Sequence, residues 1–101
     1  MSVKRTIAWI LLLQCKPMQA ERYYDAILST QEVIDEDYVN AGYSKWLQNK
    51  NNEAVLLFKS WVSRHSDEKI SSVFVQDRQL LVDNGITAID RMLMEDMVET
   101  S

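Results

Sequence analysis

The stretch AVLLFKSWV at residues 54–62 carries the plainest helical signature in the chain. Its apolar side chains recur every three or four residues, a spacing that places them on one face of an α-helix. Such a face is stabilised by burial against other elements. The stretch therefore predicts one amphipathic helix of a packed domain, with a buried stripe made of Ala54, Val55, Phe58, Trp61 and Val62.

Composition extends this prediction to the whole chain. Only two glycines and one proline occur in 101 residues, whereas sandwiches, barrels and βαβ folds use many more of them in their turns. The hydrophobic fraction of 47% and the charged fraction of 26% are ordinary for a globular protein. The sequence predicts a single all-α domain, a compact bundle of five to six short helices.

Two helices are predicted before the 54–62 stretch. Pro17 suits the first turn of a helix, because its missing N–H costs nothing there, and apolar residues at helical spacing continue to Leu28. Ser29 stands three residues before Glu32, the spacing of a capping box, which predicts that the next helix begins at Ser29. Gly42 lies inside that helix, where it either permits close packing or divides the segment in two.

Two more helices are predicted after the stretch. Ser66 is placed to cap the first of them, and Asn84 with Gly85 indicates where it ends. Thr87 and Asp90 repeat the capping-box spacing. They predict the start of the last helix.

Two segments depart from this pattern. The polar residues 48–52 predict a loop, since asparagine tolerates turn conformations. Val73, Phe74 and Val75 are consecutive strand-favouring residues ahead of a turn-like Asp-Asn-Gly sequence. The structural alternative is therefore an α+β fold with a hairpin around residues 71–83.

The first twenty residues allow two interpretations. Lys4 and Arg5 precede an apolar run at residues 7–13, and the small residue Ala20 follows, an outline that resembles a cleavable secretory signal. Cleavage near Ala20 would place the protein in the periplasm or outside the cell. The apolar run is far shorter than the ~20 residues that span a bilayer, so no membrane span is predicted.

The other interpretation is that residues 3–14 form the first helix of the domain. Ser2 is placed to cap it, and the segment is apolar on every side, as the central helix of a bundle is. A retained helix predicts a cytoplasmic protein.

Charge restricts the partners. The net charge is −4: residues 1–76 hold nine acidic and nine basic side chains, while residues 77–101 hold six acidic and two basic. Nucleic-acid affinity comes largely from clustered Lys and Arg, so nucleic acid is disfavoured. The predicted partner is a protein with a neutral or basic surface, and self-association is left open.

Residues that could carry chemistry are few. His65 is the only histidine and Cys15 the only cysteine, and nothing in the sequence places them together as an activated pair. His65 is predicted to be a solvated residue at a helix end. The acidic groups lack the spacing of a calcium loop, and no phosphate-binding motif occurs. We therefore expect no catalytic, cofactor-binding or metal site, and a protein that is not an enzyme.

Residues 81–93 superficially resemble a helix-turn-helix. The helix that would read DNA carries Asp90, Glu95 and Asp96, whose charge repels phosphate. DNA reading is therefore not predicted.

Aromatic residues are the best remaining candidates for binding. Tyr43 and Trp46 stand three apart beside Lys45, shortly after Tyr38, and Tyr and Trp are enriched among residues that dominate binding energy. These four residues are the predicted partner-binding site. The predicted function is that of a small regulator, inhibitor or immunity-type protein that occludes a partner's surface, with an exported helical protein as the alternative.

Overall fold

A computed structural model describes residues 3–100, which form six α-helices and no strand. The all-α prediction is confirmed. The hairpin alternative around residues 71–83 is wrong, because that segment is helical throughout. The helices are α1 Val3–Leu13, α2 Pro17–Leu28, α3 Asp35–Trp46, α4 Asn51–Arg64, α5 Ile70–Asp83 and α6 Arg91–Thr100.

Helix α3 connects the parts of the bundle. It packs against α1, α2 and α4, while α5 and α6 pack against each other and against α4. One continuous core runs through all six helices and includes Ala8, Leu12, Tyr24, Ile27, Val39, Tyr43, Trp46, Phe58, Trp61, Phe74, Leu81, Ile86 and Met94.

The amphipathic stripe of α4 is buried as the 54–62 stretch predicts. Ala54, Val55, Phe58 and Trp61 are buried, and only Val62, at the edge of the stripe, is 37% exposed. The predicted loop at residues 48–52 is shorter than expected, because α4 already begins at Asn51.

Gly42 lets α3 and α4 approach closely. A Cβ atom at this position would lie within 3 Å of three atoms of the Phe58 ring, including Cδ1 at 2.7 Å and Cζ at 2.9 Å. Helix α3 continues unbroken through Gly42, so this glycine permits close packing and does not divide the helix. The Phe58 ring also packs edge-on against Phe74, with ring centroids 5.0 Å apart, and against Tyr43 at 6.0 Å.

Three predicted helix starts are too early. Ser29 donates its hydroxyl hydrogen bond backwards to the carbonyl of Ala26, so it closes α2 and α3 begins only at Asp35. The helices expected after Ser66 and Thr87 begin at Ile70 and Arg91. A serine or threonine three residues before an acidic residue also fits the end of a helix or a turn, because the hydroxyl can bond a preceding carbonyl as well.

Carboxylates stand at two of the actual starts. Asp37 accepts a hydrogen bond from the backbone N–H of Ile34 at 2.9 Å, and Asp90 accepts one from the backbone N–H of Leu93 at 3.1 Å. Each contact satisfies a backbone donor near the first turn of a helix, where the helix dipole favours negative charge.

Three helices end in the same left-handed turn. Cys15, Asn49 and Gly85 have φ angles of 58°, 63° and 81°, and each follows the last turn of a helix with the paired hydrogen bonds of a Schellman motif. The helix end predicted at Asn84 and Gly85 is confirmed. At Cys15, by contrast, cysteine is an unusual residue for a positive φ angle. The bonds run from Cys15 to Leu12, Lys16 to Leu11, Asn49 to Trp46, Lys50 to Lys45, Gly85 to Val82 and Ile86 to Leu81, at 2.9–3.0 Å.

Helix α1 is held to α3 by an ion pair between the half-buried Arg5 and the buried Asp37. Arg5 donates to both carboxylate oxygens of Asp37 at 2.8 Å and to the carbonyl of Glu32 at 2.8 Å. The Asp37 side chain is fully buried. Removing Arg5 would leave the buried Asp37 carboxylate without its cation, which is destabilising, so the pair couples α1 to α3.

The expectation that α1 is buried on every side is wrong. Ala8 and Leu12 are fully buried, but Val3 is 73% exposed and Ile10 is 48% exposed. The helix lies at the surface with one face inward. The predicted cap, Ser2, lies outside the described residues.

Replacing Gly42 with alanine should destabilise the fold by about 1–3 kcal/mol, the usual range for overpacking a core. Without such a contact, replacing glycine with alanine in a helix interior stabilises a protein by about 0.5–1 kcal/mol. A loss of stability would therefore indicate the close contact with Phe58. Urea unfolding of Gly42→Ala, of Phe58→Leu and of the double variant measures it. The penalty of Gly42→Ala should shrink when Phe58 is leucine, and an equal penalty in both backgrounds would contradict the contact.

Replacing Cys15 with glycine should stabilise the protein by about 0.5–1 kcal/mol, because glycine adopts a positive φ without a Cβ penalty. Cys15→Ser is the matched control: it removes the thiol and retains the unfavourable conformation. Thermal unfolding should rank the glycine variant above both the serine variant and the native chain. A serine variant as stable as the glycine variant would show that the gain does not come from the backbone.

Candidate binding site

Two of the four predicted binding residues lie inside the protein. Tyr43 is fully buried and Trp46 is 6% exposed, so this pair does not form an exposed aromatic patch. The physical reason is the position of α3, whose face at Tyr43 is covered by Phe58 and Phe74 from two neighbouring helices. A partner-binding role for Tyr43 and Trp46 remains a prediction that their placement does not support.

The other two predicted binding residues are engaged with their neighbours. Tyr38 is half-buried beneath Arg64, whose guanidinium lies 4.9 Å from the centre of the ring and donates a 3.0 Å hydrogen bond to the hydroxyl. Lys45 is 12% exposed and pairs with Glu21 at 3.4 Å and Asp25 at 3.6 Å. The structure therefore does not bring the four predicted residues together on one surface.

His65 is more enclosed than a solvated helix end. It follows the last residue of α4, stacks on Trp61 with ring centroids 4.0 Å apart, and its Nε2 lies 2.9 Å from Asp35 Oδ2. Its side chain is 23% exposed. These contacts join the end of α4 to the start of α3. Within residues 3–100, no group of three or more histidine, cysteine, aspartate or glutamate side chains is arranged to hold a metal ion.

A cleft with a volume of about 710 Å³ lies between the second half of α5, the connection at residues 84–90 and the first turn of α6. Its lining is mixed: Arg78, Thr87, Asp90 and Arg91 are polar, and the apolar part includes the buried Phe74, Leu81 and Ile86. At the surface it is lined by Val82, which is 44% exposed, and Met92, which is 75% exposed. A cleft of this size that combines apolar side chains with a few polar ones is large enough to be a binding site.

The lining of the cleft is fixed by contacts with the core. Phe74 packs against Phe58, and Leu81 and Ile86 are each 2% exposed. The turn after α5 places them together, because the backbone N–H of Ile86 bonds the carbonyl of Leu81 at 2.9 Å. The cleft therefore combines a buried apolar interior with a mouth at which Val82 and Met92 are exposed.

Two arginines line the cleft. Arg91 lies 3.4 Å from Glu95, one turn further along α6, so an acidic neighbour offsets its charge. Arg78, on α5, forms no ion pair with any acidic side chain in the described part of the chain. The carboxylate of Asp90, also in the lining, accepts the N–H of Leu93.

A part-buried polar contact joins α3 to α5 behind the cleft. The Tyr43 hydroxyl donates a 2.7 Å hydrogen bond to Asp77, which lies between Phe74 and Leu81 along α5. Burial raises the pKa of Asp77, and the hydrogen bond from Tyr43 opposes that rise. Burial, and then the negative charge of Asp77, also raise the pKa of Tyr43. Sequence reasoning missed this pair, whose members are 34 residues apart.

Comparisons of the chain with protein-family models, with curated proteins and with solved structures found no match. Its fold and its cleft are therefore interpreted from the residues alone. Across residues 3–100, the helices are too short or too polar for any of them to cross a lipid bilayer.

The stability contribution of Asp77 should depend on pH. A carboxyl with a raised pKa in the folded chain stabilises the fold when protonated, fully below its unfolded pKa near 3.8, and this contribution is lost as the pH rises through the folded value. Asp77→Asn keeps an acceptor for Tyr43 without the charge. The free energy of unfolding of Asp77→Asn minus that of the native chain should therefore increase from pH 4 to neutral pH. Urea titration of both proteins at each pH measures this difference.

Asp67→Asn, at an exposed carboxyl, controls for the general loss of one negative charge. If the difference between Asp77→Asn and the native chain is the same at every pH, burial does not govern the ionisation of Asp77.

Proposed function

We propose that this chain is a small non-enzymatic binding protein that takes a segment of another protein into the cleft between α5 and α6. Binding of that segment covers part of the partner's surface, so the protein acts as a regulator or inhibitor. The observation that carries the proposal is the exposure of Val82 and Met92 at the mouth of a cleft whose interior belongs to the core.

Exposed apolar side chains beside a preformed cavity favour binding. A single exposed apolar residue is ordinary on a protein surface. Val82 and Met92 differ because both line the same cleft, where an incoming apolar side chain contacts them and the buried Leu81 or Ile86 together. Methionine adapts readily to the shape of a partner. The cleft can thus bury apolar surface without a rearrangement of the core.

The polar groups of the cleft support binding without catalysis. Asp90 and Arg91 are engaged with α6 itself. Arg78 is a cation, and guanidinium does not lose its proton in proteins, which makes it a poor general base. Thr87 supplies a hydroxyl to the lining, and among residues 3–100 it forms no hydrogen bond with a histidine or carboxylate that could activate it as a nucleophile.

The compartment stays a prediction. The ion pair of Arg5 with Asp37 supports a working domain that includes α1, as the cytoplasmic interpretation requires. The alternative, export after cleavage near Ala20, would remove Arg5 and leave the buried Asp37 carboxylate without its partner. Ala20 itself is fully buried within α2.

The double substitution Val82→Thr with Met92→Gln should abolish most partner capture, because it makes both exposed walls of the cleft polar. Affinity capture from the native host, quantified by mass spectrometry, compares it with the native chain. The expected result is at least a tenfold loss of the captured protein, the loss that about 1.4 kcal/mol of binding energy produces.

The matched control is Val3→Thr with Met18→Gln, which makes the same chemical changes at residues that are 73% and 62% exposed on α1 and α2. It should capture as much partner as the native chain. Full capture by the cleft variant, or an equal loss in both variants, would refute binding at the cleft. Circular dichroism confirms that both variants are folded.

A further inference from the structure

The whole net charge of the protein lies in the part of the chain that builds most of the cleft. Residues 77–101 hold six acidic and two basic side chains, whereas residues 1–76 are balanced. Of the two basic residues, Arg91 is paired with Glu95. The surroundings of the cleft are therefore negative, although one unpaired arginine, Arg78, belongs to its lining.

Acidic side chains lie near the exposed residues of the cleft along the chain. Asp96 and Glu99 follow Met92 by four and seven residues on α6, so all three lie on one face of that helix. Asp83 directly follows Val82 at the end of α5. All three carboxylates are exposed, and none forms an ion pair with a basic side chain among the residues that the structure describes.

We infer that the occupant of the cleft is a basic amphipathic helix of a partner protein. The inference rests on the proposed function and specifies its partner. The apolar face of that helix packs against Val82 and Met92. Its lysine and arginine side chains lie along the edge formed by Asp96 and Glu99.

Charge along α6 favours this choice. An acidic segment lying along α6 would meet Asp96 and Glu99, and like charges held close together are repulsive. The exposed Arg78 lies on α5, on the other side of the cleft. A helix that presents apolar residues at i, i+3, i+4 and i+7 is a common occupant of a groove between helices. Basic residues on its other face would pair with Asp96 and Glu99, which form no ion pair with a basic side chain in the described part of the chain.

The test uses two synthetic peptides with leucine at helical spacing. At all the remaining positions, one peptide carries lysine and the other carries glutamate. Binding of each fluorescently labelled peptide to the full-length protein is measured by polarisation at physiological salt. The lysine peptide should bind at least tenfold more tightly than the glutamate peptide.

Asp96→Asn with Glu99→Gln should weaken binding of the lysine peptide by about three- to tenfold, the effect of losing two exposed ion pairs. The matched control is Asp67→Asn with Glu68→Gln, which removes two exposed charges from the connection between α4 and α5. It should change the affinity by less than about twofold, because general attraction at this salt concentration is screened.

Four results would overturn the inference. Equal affinity for both peptides would show that charge does not select the occupant, and equal weakening in the two charge variants would show that attraction is general. Binding of neither peptide, or self-association through the cleft in sedimentation measurements, would exclude a basic helix as the occupant. If Val82→Thr with Met92→Gln still abolishes partner capture in those cases, the cleft stands as the binding site and only the chemistry of its occupant is wrong.

Discussion

The close contact between Gly42 of α3 and the ring of Phe58 on α4 determines how the rest of the structure is arranged. Because Gly42 has no side chain, Phe58 lies directly against the helix and presents its ring to Phe74 of α5 at 5.0 Å. Phe74 is also part of the cleft lining. The position of the proposed binding site therefore follows from one glycine in the core, more than thirty residues away in sequence.

Polar contacts secure the ends of the same arrangement. The Arg5 pair with Asp37 joins α1 to the first turn of α3, and the Tyr43 bond to Asp77 joins the middle of α3 to α5. Both involve groups whose burial is costly without partners. Such contacts favour one arrangement of the helices over others with a similar apolar area, and they leave the cleft with a defined shape.

Sequence reasoning identified the elements better than the relations among them. The bounds of α2, the stripe of α4 and the stop at Gly85 follow from local rules of spacing and backbone conformation. The start at Ser29 failed because the same hydroxyl can close a helix. Tyr43 and Trp46 were misplaced because spacing along one helix does not reveal which face a neighbour covers. The cleft was missed because α5 and α6 form it only when packed together, although its acidic surroundings were visible in the uneven charge.

Solution NMR of the native chain tests the central contact most directly. In the arrangement described, one Hα of Gly42 points at the face or edge of the Phe58 ring, so it should show a nuclear Overhauser effect to the ring protons and a chemical shift displaced by the ring current. A Gly42 resonance at an ordinary helical shift, without an Overhauser effect to Phe58, would contradict the close approach of α3 and α4 and the placement of the cleft that follows from it.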